Sequence, residues 1–198
     1  MIRLSVTMLD SYLYFLRNEE MEFDALLRRL RGEEPASPQM LAGHAFHSLL
    51  ENAASGALDH ASVDGFEFVF ALDAEIALPN IRELKAEKLI ETPSGPVTLV
   101  GKVDALDGIT VRDYKLTERF DAERYVDSFQ WRAYLMMFGA QRFVYDVFQC
   151  RYEAQRVTVY DYQALPFCAY PGMERDVTDA VAALAEIVVR HMPESVAA

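Results

Sequence analysis

Three residues near the middle of the chain have types and spacing suited to metal-assisted hydrolysis. They are Asp104, Asp113 and Lys115, within the segment LVGKVDALDGITVRDYK at residues 99–115. Two carboxylates close together hold a hard divalent cation, and a nearby ammonium offsets charge that builds on an oxygen under attack. The segment reads as a β-hairpin: residues 97–106 and 109–116 form the strands and Asp107-Gly108 the turn. In that register Leu106 faces Ile109, Asp104 faces Val111 and Lys102 faces Asp113. Side chains alternate along a strand, so Asp104, Asp113 and Lys115 share one face, and Arg112 and Tyr114 the other. The two carboxylates are then diagonal neighbours, with β-carbons roughly 7–8 Å apart. A solvated polar strand face is the plainer reading of any one of them. Asp and Lys are nevertheless poor strand formers, and three on one face of a β-prone hairpin is a break in local preference of the kind function imposes. The register is the weak link, because a slip of one residue sends Asp104 to the opposite face.

Two further pairs have helical spacing. His47 and Glu51 lie four apart in GHAFHSLLE (residues 43–51), and Gln130 and Tyr134 lie four apart in QWRAY (residues 130–134), so each pair shares a helix face. His47 also suits a satisfied buried histidine, and Tyr134, beside Trp131 and Leu135, also suits a core position. His44 and His60 fit no pattern and read as surface residues.

The elements that must position these groups follow from periodicity. Residues 7–31 read as one helix with Thr7 as its cap and Arg28, Arg29 and Arg31 near its C-terminal end. A linker with two prolines at 32–38 precedes a second helix over 38–55. Phe66, Phe68 and Phe70 alternate as a strand, and 83–91 is a second one ahead of the hairpin. Residues 121–139 read as helix, 142–151 and 155–162 as paired strands, and 173–191 as a final helix with Val177, Val181, Leu184, Ile187 and Val188 as its apolar stripe. The order implies a mixed sheet with flanking helices, of the α/β or α+β class. It forms one domain: a helical part over about 1–37, a core over about 38–162, and the last helix.

The chain has 198 residues, 52% of them hydrophobic and 25% charged, which is the balance of a globular protein able to bury its own core. No run of 18 apolar residues is present, nor the apolar stretch and cleavage site of a signal peptide. Two cysteines, Cys150 and Cys168, cannot by themselves ligate an iron–sulfur cluster, and two free thiols in a cytoplasmic protein are expected. The net charge of −12 counts against a protein that coats nucleic acid through a broad basic surface. It does not exclude a nuclease, in which acids gather to hold metal beside a narrow basic groove.

An Asp, a turn, then Asp-x-Lys on the next strand resembles the signature of the PD-(D/E)XK nucleases. Gly101 three residues before Asp104, the Asp113-Tyr114-Lys115 wording, the Gly43–His47–Glu51 pattern, the Gln130–Tyr134 pair and the opening LSVTMLDSY at residues 4–12 look most like the RecB-like branch. The resemblance spans roughly residues 4–135 and implies the restriction-endonuclease-like fold. It implies that His47, Asp104, Asp113 and the Tyr114 carbonyl bind Mg²⁺ or Mn²⁺, that Lys115 orients the attacking water, and that Glu51 holds a metal-bound water or a second metal. Gln130 and Tyr134 would position the DNA backbone or the metal's surroundings. Glu87 stands where such proteins often carry an acid.

The Gly-rich phosphate loop of the helicase-fused relatives and the four cysteines of the iron–sulfur relatives are absent. What remains resembles a small standalone, phage-type recombination exonuclease acting on linear duplex DNA. That implies a homo-oligomeric ring and a single-strand annealing protein as partner. A catalytically silent DNA-binding or regulatory module, an endonuclease of the same fold, and a metal-dependent hydrolase of another fold are the competing expectations.

Overall fold

The computed structural model describes residues 2–73 and 75–193. In chain order the elements are β1 (Ile2–Ser5), α1 (Val6–Arg17), α2 (Phe23–Leu30), α3 (Pro38–Asn52), β2 (His60–Val63), β3 (Phe66–Phe70), β4 (Ile81–Thr92), β5 (Gly95–Asp107), β6 (Thr110–Thr117), α4 (Ala122–Asp127), α5 (Phe129–Phe138), β7 (Arg142–Glu153), β8 (Arg156–Cys168) and α6 (Met173–His191). The strands form one mixed sheet in the order β1-β5-β6-β7-β8-β3-β2, with β4 on β5. Helices cover both faces, as the order of elements implies.

The layers follow from alternation. On β7, Phe143, Tyr145 and Val147 pack into the cluster shared with α1, α2, α5 and α6. Phe148 and Cys150 turn to the other face, under α3, with Phe46, Phe68, Tyr114 and Val157. A strand buried on both faces reads as an almost continuous apolar run, and FVYDVF is one.

Four boundaries differ from the sequence reading. The helix expected over 7–31 is two, because Asn18 turns the chain: its Oδ1 accepts from Glu20 N–H (3.2 Å) and its carbonyl accepts from Met21 N–H (2.9 Å). A side chain that bonds its own backbone competes with the helix ladder. The cap is Ser5, not Thr7, with Oγ accepting from Met8 N–H at 3.2 Å. The helix expected over 121–139 breaks at Ser128, which ends α4 and caps α5 through Gln130 N–H. Strand β8 runs to Cys168 rather than stopping near 162. Phe167 there stacks on Trp131 with ring centroids 4.9 Å apart, so much of the aromatic segment 160–170 belongs to the sheet and core. Strands β1 and β2, four residues each, are too short to announce themselves by alternation.

The hairpin register is shifted. Ala105 pairs with Arg112, Leu106 with Val111 and Asp107 with Thr110, so the turn is Gly108-Ile109, with Gly108 at φ +58°. The turn moves by one residue and each cross-strand pairing by two. Parity is kept, and Asp104 and Asp113 stay on one face. Continued one step, this register sets Asp104 directly opposite Asp113 rather than diagonal to it.

None of the described helices is long and apolar enough to cross a membrane. Both cysteines are free thiols; Cys150 is buried and Cys168 exposed. Burial pushes the Cys150 thiol up to about 11. At pH 8 a thiol reagent is therefore expected to label Cys168 within minutes and Cys150 only after unfolding, read by mass spectrometry of the native and denatured protein.

Candidate active site at a fork in the sheet

Strand β5 pairs with β4 along nearly its whole length. Its other edge is shared: β1 takes residues 97–100 and β6 takes 105–107. Residues 101–104 on that edge pair with neither. Beyond the fork β6 continues beside β7 alone, with Asp113 against Tyr145 and Lys115 against Val147. The cleft opens in this gap. It measures about 700 Å³ and is lined by Asp104, Asp113 and Lys115 with His47, Glu51, Gln130 and Tyr134. His44, read as a plain surface residue, is exposed but also lines it, as does Glu87; His60 lies elsewhere, paired with Glu67.

Asp104 ties the fork together. Its Oδ2 accepts from Tyr114 N–H at 2.6 Å, in place of a strand-to-strand bond, and its Oδ1 lies 3.1 Å from His47 Nδ1. Asp113 is 2% exposed and ion-paired to Lys115 at 2.5 Å. That Oδ2 is the oxygen paired with Lys115, and no hydrogen-bond donor other than the ammonium reaches it. Burial pushes the Asp113 carboxyl up to about 6, against the opposing pull of Lys115. Burial alone would lower the Lys115 pKa, but Asp113 and Asp104 outweigh it and hold the ammonium well above the ordinary lysine value.

Helix α3 brings His47 and Glu51. Phe46 anchors it, packed against Phe68, Phe70 and Phe148. Its C-terminal carbonyls are capped from β4: Arg82 donates to the carbonyls of Leu50, Glu51 and Ala53 at 2.8–2.9 Å. Helix α5 brings Gln130 and Tyr134. The Tyr134 hydroxyl donates to the Lys102 carbonyl at 2.8 Å, and its ring lies on Gly101. A β-carbon on Gly101 would stand 2.5 Å from the Tyr134 ring and 3.1 Å from Val6. The Gly101→Ala protein is accordingly expected to lose about 1–3 kcal/mol in urea denaturation and to displace Tyr134 from the cleft wall.

Sequence reasoning missed four contributors. Glu83 lies across from Asp104 in the β4–β5 register, has a positive φ of 55° and pairs with Lys102. Left-handed backbone at a non-glycine residue is strain of the kind found at functional sites. Asp10 accepts from Ser128 Oγ and Phe129 N–H at 2.8–2.9 Å and so docks α1 on the start of α5. Tyr145 donates to Ser128 Oγ (3.0 Å) and Gln130 Oε1 (3.3 Å), with its ring 5.6 Å from Lys115 Nζ. Arg82 is the fourth. Only Asp10 carried a signal, inside the opening motif; the others depend on partners distant in sequence.

Among the described residues no three His, Cys, Asp or Glu side chains form a ready-made metal cluster. The chemistry of the donors still fits a hard divalent cation. An imidazole and a carboxylate already meet at 3.1 Å, and a second, buried carboxylate, that of Asp113, lines the same cleft beside Lys115.

Comparison with known proteins agrees with this architecture. The structure resembles that of SSO0001 (TM-score 0.57, 13% identity, 97% of this chain and 77% of that one). It also resembles LHK-Exo in complex with dAMP (TM-score 0.50, 12% identity, 98% and 93%). A further structure of that alkaline exonuclease, from Laribacter hongkongensis, aligns at a TM-score of 0.44 with 12% identity, over 98% and 93%. At such identities the likeness is one of fold. No curated protein matches the chain in sequence. The profile of the PD-(D/E)XK nuclease superfamily matches residues 65–194, most of the chain and all of the forked hairpin, and the chain belongs to that superfamily of nucleases.

Proposed function

We propose that this nuclease is a divalent-metal-dependent deoxyribonuclease, an exonuclease on linear DNA serving recombination or repair. The observation that carries the reading is the fork: Asp104, Asp113 and Lys115 face one cleft with His47 and Glu51 opposite. His47, Asp104, Asp113 and the Tyr114 carbonyl would hold Mg²⁺ or Mn²⁺. Such an ion, when bound, polarises the scissile phosphate and acidifies a water. Lys115 stays protonated beside two carboxylates, so it orients the attacking water and offsets charge growing on the phosphate oxygens. Glu51, which lines the same cleft, would hold a metal-bound water or a second metal. Gln130 and Tyr134 position the strand, Tyr134 through its hold on the Lys102 carbonyl. The dAMP bound in LHK-Exo supports a DNA substrate.

The test is digestion of labelled linear and covalently closed circular DNA with Mg²⁺, Mn²⁺ or EDTA. Linear DNA is expected to be degraded from its ends with either metal, and circles and EDTA samples to stay intact. Cutting of circles would make the enzyme an endonuclease. Binding without cutting of any DNA would make it a silent module. The same reading expects a homo-oligomer and a single-strand annealing protein as partner; light scattering that finds only monomer would remove the ring.

A further inference from the structure

A second cleft of about 680 Å³ adjoins the first, and Thr7, Lys115 and Gln130 line both. The two differ in charge. The active cleft is lined by four cations (Arg3, Lys85, Lys102, Lys115) and five acids (Glu51, Glu83, Glu87, Asp104, Asp113). The second is lined by four cations, Arg17, Arg29, Lys115 and Arg124, and one acid, Asp10. Asp10 is turned inward, where its carboxylate accepts from Ser128 Oγ and Phe129 N–H, so its oxygens are engaged with the start of α5. On a chain of net charge −12 such a concave basic surface is conspicuous.

Its arginines are available to a ligand. Arg124 makes no hydrogen bond or ion pair among the described residues. Arg17 is held by Asp127 in a half-exposed surface pair, and Arg29 by Glu34 at 3.0 Å. Surface pairs of this kind are weak and yield to a phosphate. Arg29 also lies over the exposed Tyr14 ring, 5.1 Å from its centroid, which adds an aromatic surface beside the cations. Cations interleaved with an aromatic face are the features that grip a single nucleic-acid strand.

Resting on the nuclease reading above, we propose that the phosphodiester backbone of one DNA strand runs from the active cleft past Lys115 into this second cleft. There Arg17, Arg29 and Arg124 bind phosphates beyond the one being cut. The division of labour answers the charge problem: acids gather where a metal is held, and the grip on the strand is displaced to the neighbouring cleft.

The test compares the wild-type chain, Arg17→Gln/Arg124→Gln, and Arg151→Gln/Arg156→Gln, which makes the same charge change on the exposed β7–β8 tip. Binding to a single-stranded 12-mer with hydroxyl groups at both ends is followed by anisotropy in EDTA across a salt series. The cleft variant is expected to bind about tenfold more weakly, with a salt slope smaller by about 1.4, or about 0.7 per lost phosphate contact. The tip variant should follow wild type. Equal binding and slope in the two variants would overturn the proposal, as would a loss confined to oligonucleotides carrying a terminal phosphate, or wild-type binding too weak to measure at low salt. Cleavage with Mg²⁺ is scored separately. Wild-type cutting with unchanged variant binding sinks only the second cleft, whereas arginine-dependent binding without cutting sinks only the nuclease reading.

Discussion

Asp113→Ala and Lys115→Ala are each expected to slow DNA cleavage by about 10³-fold at saturating DNA and metal, with no comparable loss of binding. Asp113 is 2% exposed and sits directly beside Lys115, so neither side chain is replaceable by a surface neighbour. Removing the carboxylate takes a charged donor from the cleft. Removing the ammonium would take away the group proposed to steady an anionic phosphate, in a place where burial strengthens electrostatics. Because the two act as a unit, the double variant is expected to be scarcely worse than either single one. Rates that multiply, or single variants within tenfold of wild type, would show that the two do not cooperate in one step. Circular dichroism of each variant checks that the fold is intact.

The second large effect is on stability. Phe46 is fully buried at the meeting of α3 with β3 and β7, its ring 5.1–6.3 Å from those of Phe68, Phe70 and Phe148. Phe46→Ala is expected to lower the unfolding free energy by about 3–5 kcal/mol, the usual range for an aromatic deleted from a packed core. The next residue is His47, so loosening α3 also moves the site's imidazole from Asp104. The prediction is a lowered urea midpoint together with weaker metal binding, while Phe46→Leu keeps more of both. A destabilised variant with unaltered metal affinity would show that α3 does not set the site's geometry.

The elements that were legible in the sequence are those whose signal is local. The stripe from Val177 to Val188 marks α6 because one helix face is buried. The alternation of Phe66, Phe68 and Phe70 marks β3. The pairing of Asp104 with Asp113 and Lys115 was legible despite a misplaced turn, because shifting a turn by one residue moves the pairing by two and leaves parity untouched. What stayed hidden is nonlocal. That β5 divides one edge between β1 and β6 follows from which strands meet, and no periodicity reports it. Arg82 caps a helix about thirty residues upstream, and nothing near it in sequence marks that role. The break at Ser128 looks like helix interior until Asp10, on a different helix, is seen to hold it. Glu83 is concealed by its setting, an acid in a strand of ordinary composition whose left-handed backbone only the fold reveals.

On the proposed reading, His47, Asp104 and Asp113 converge on one divalent cation at the fork. A crystal soaked in Mn²⁺, with data collected at the manganese edge, tests it most directly. An anomalous peak is expected in the cleft at ligand distance from His47, Asp104 and Asp113, with Lys115 beside it. A peak elsewhere, or none at these residues at saturating Mn²⁺, would contradict it.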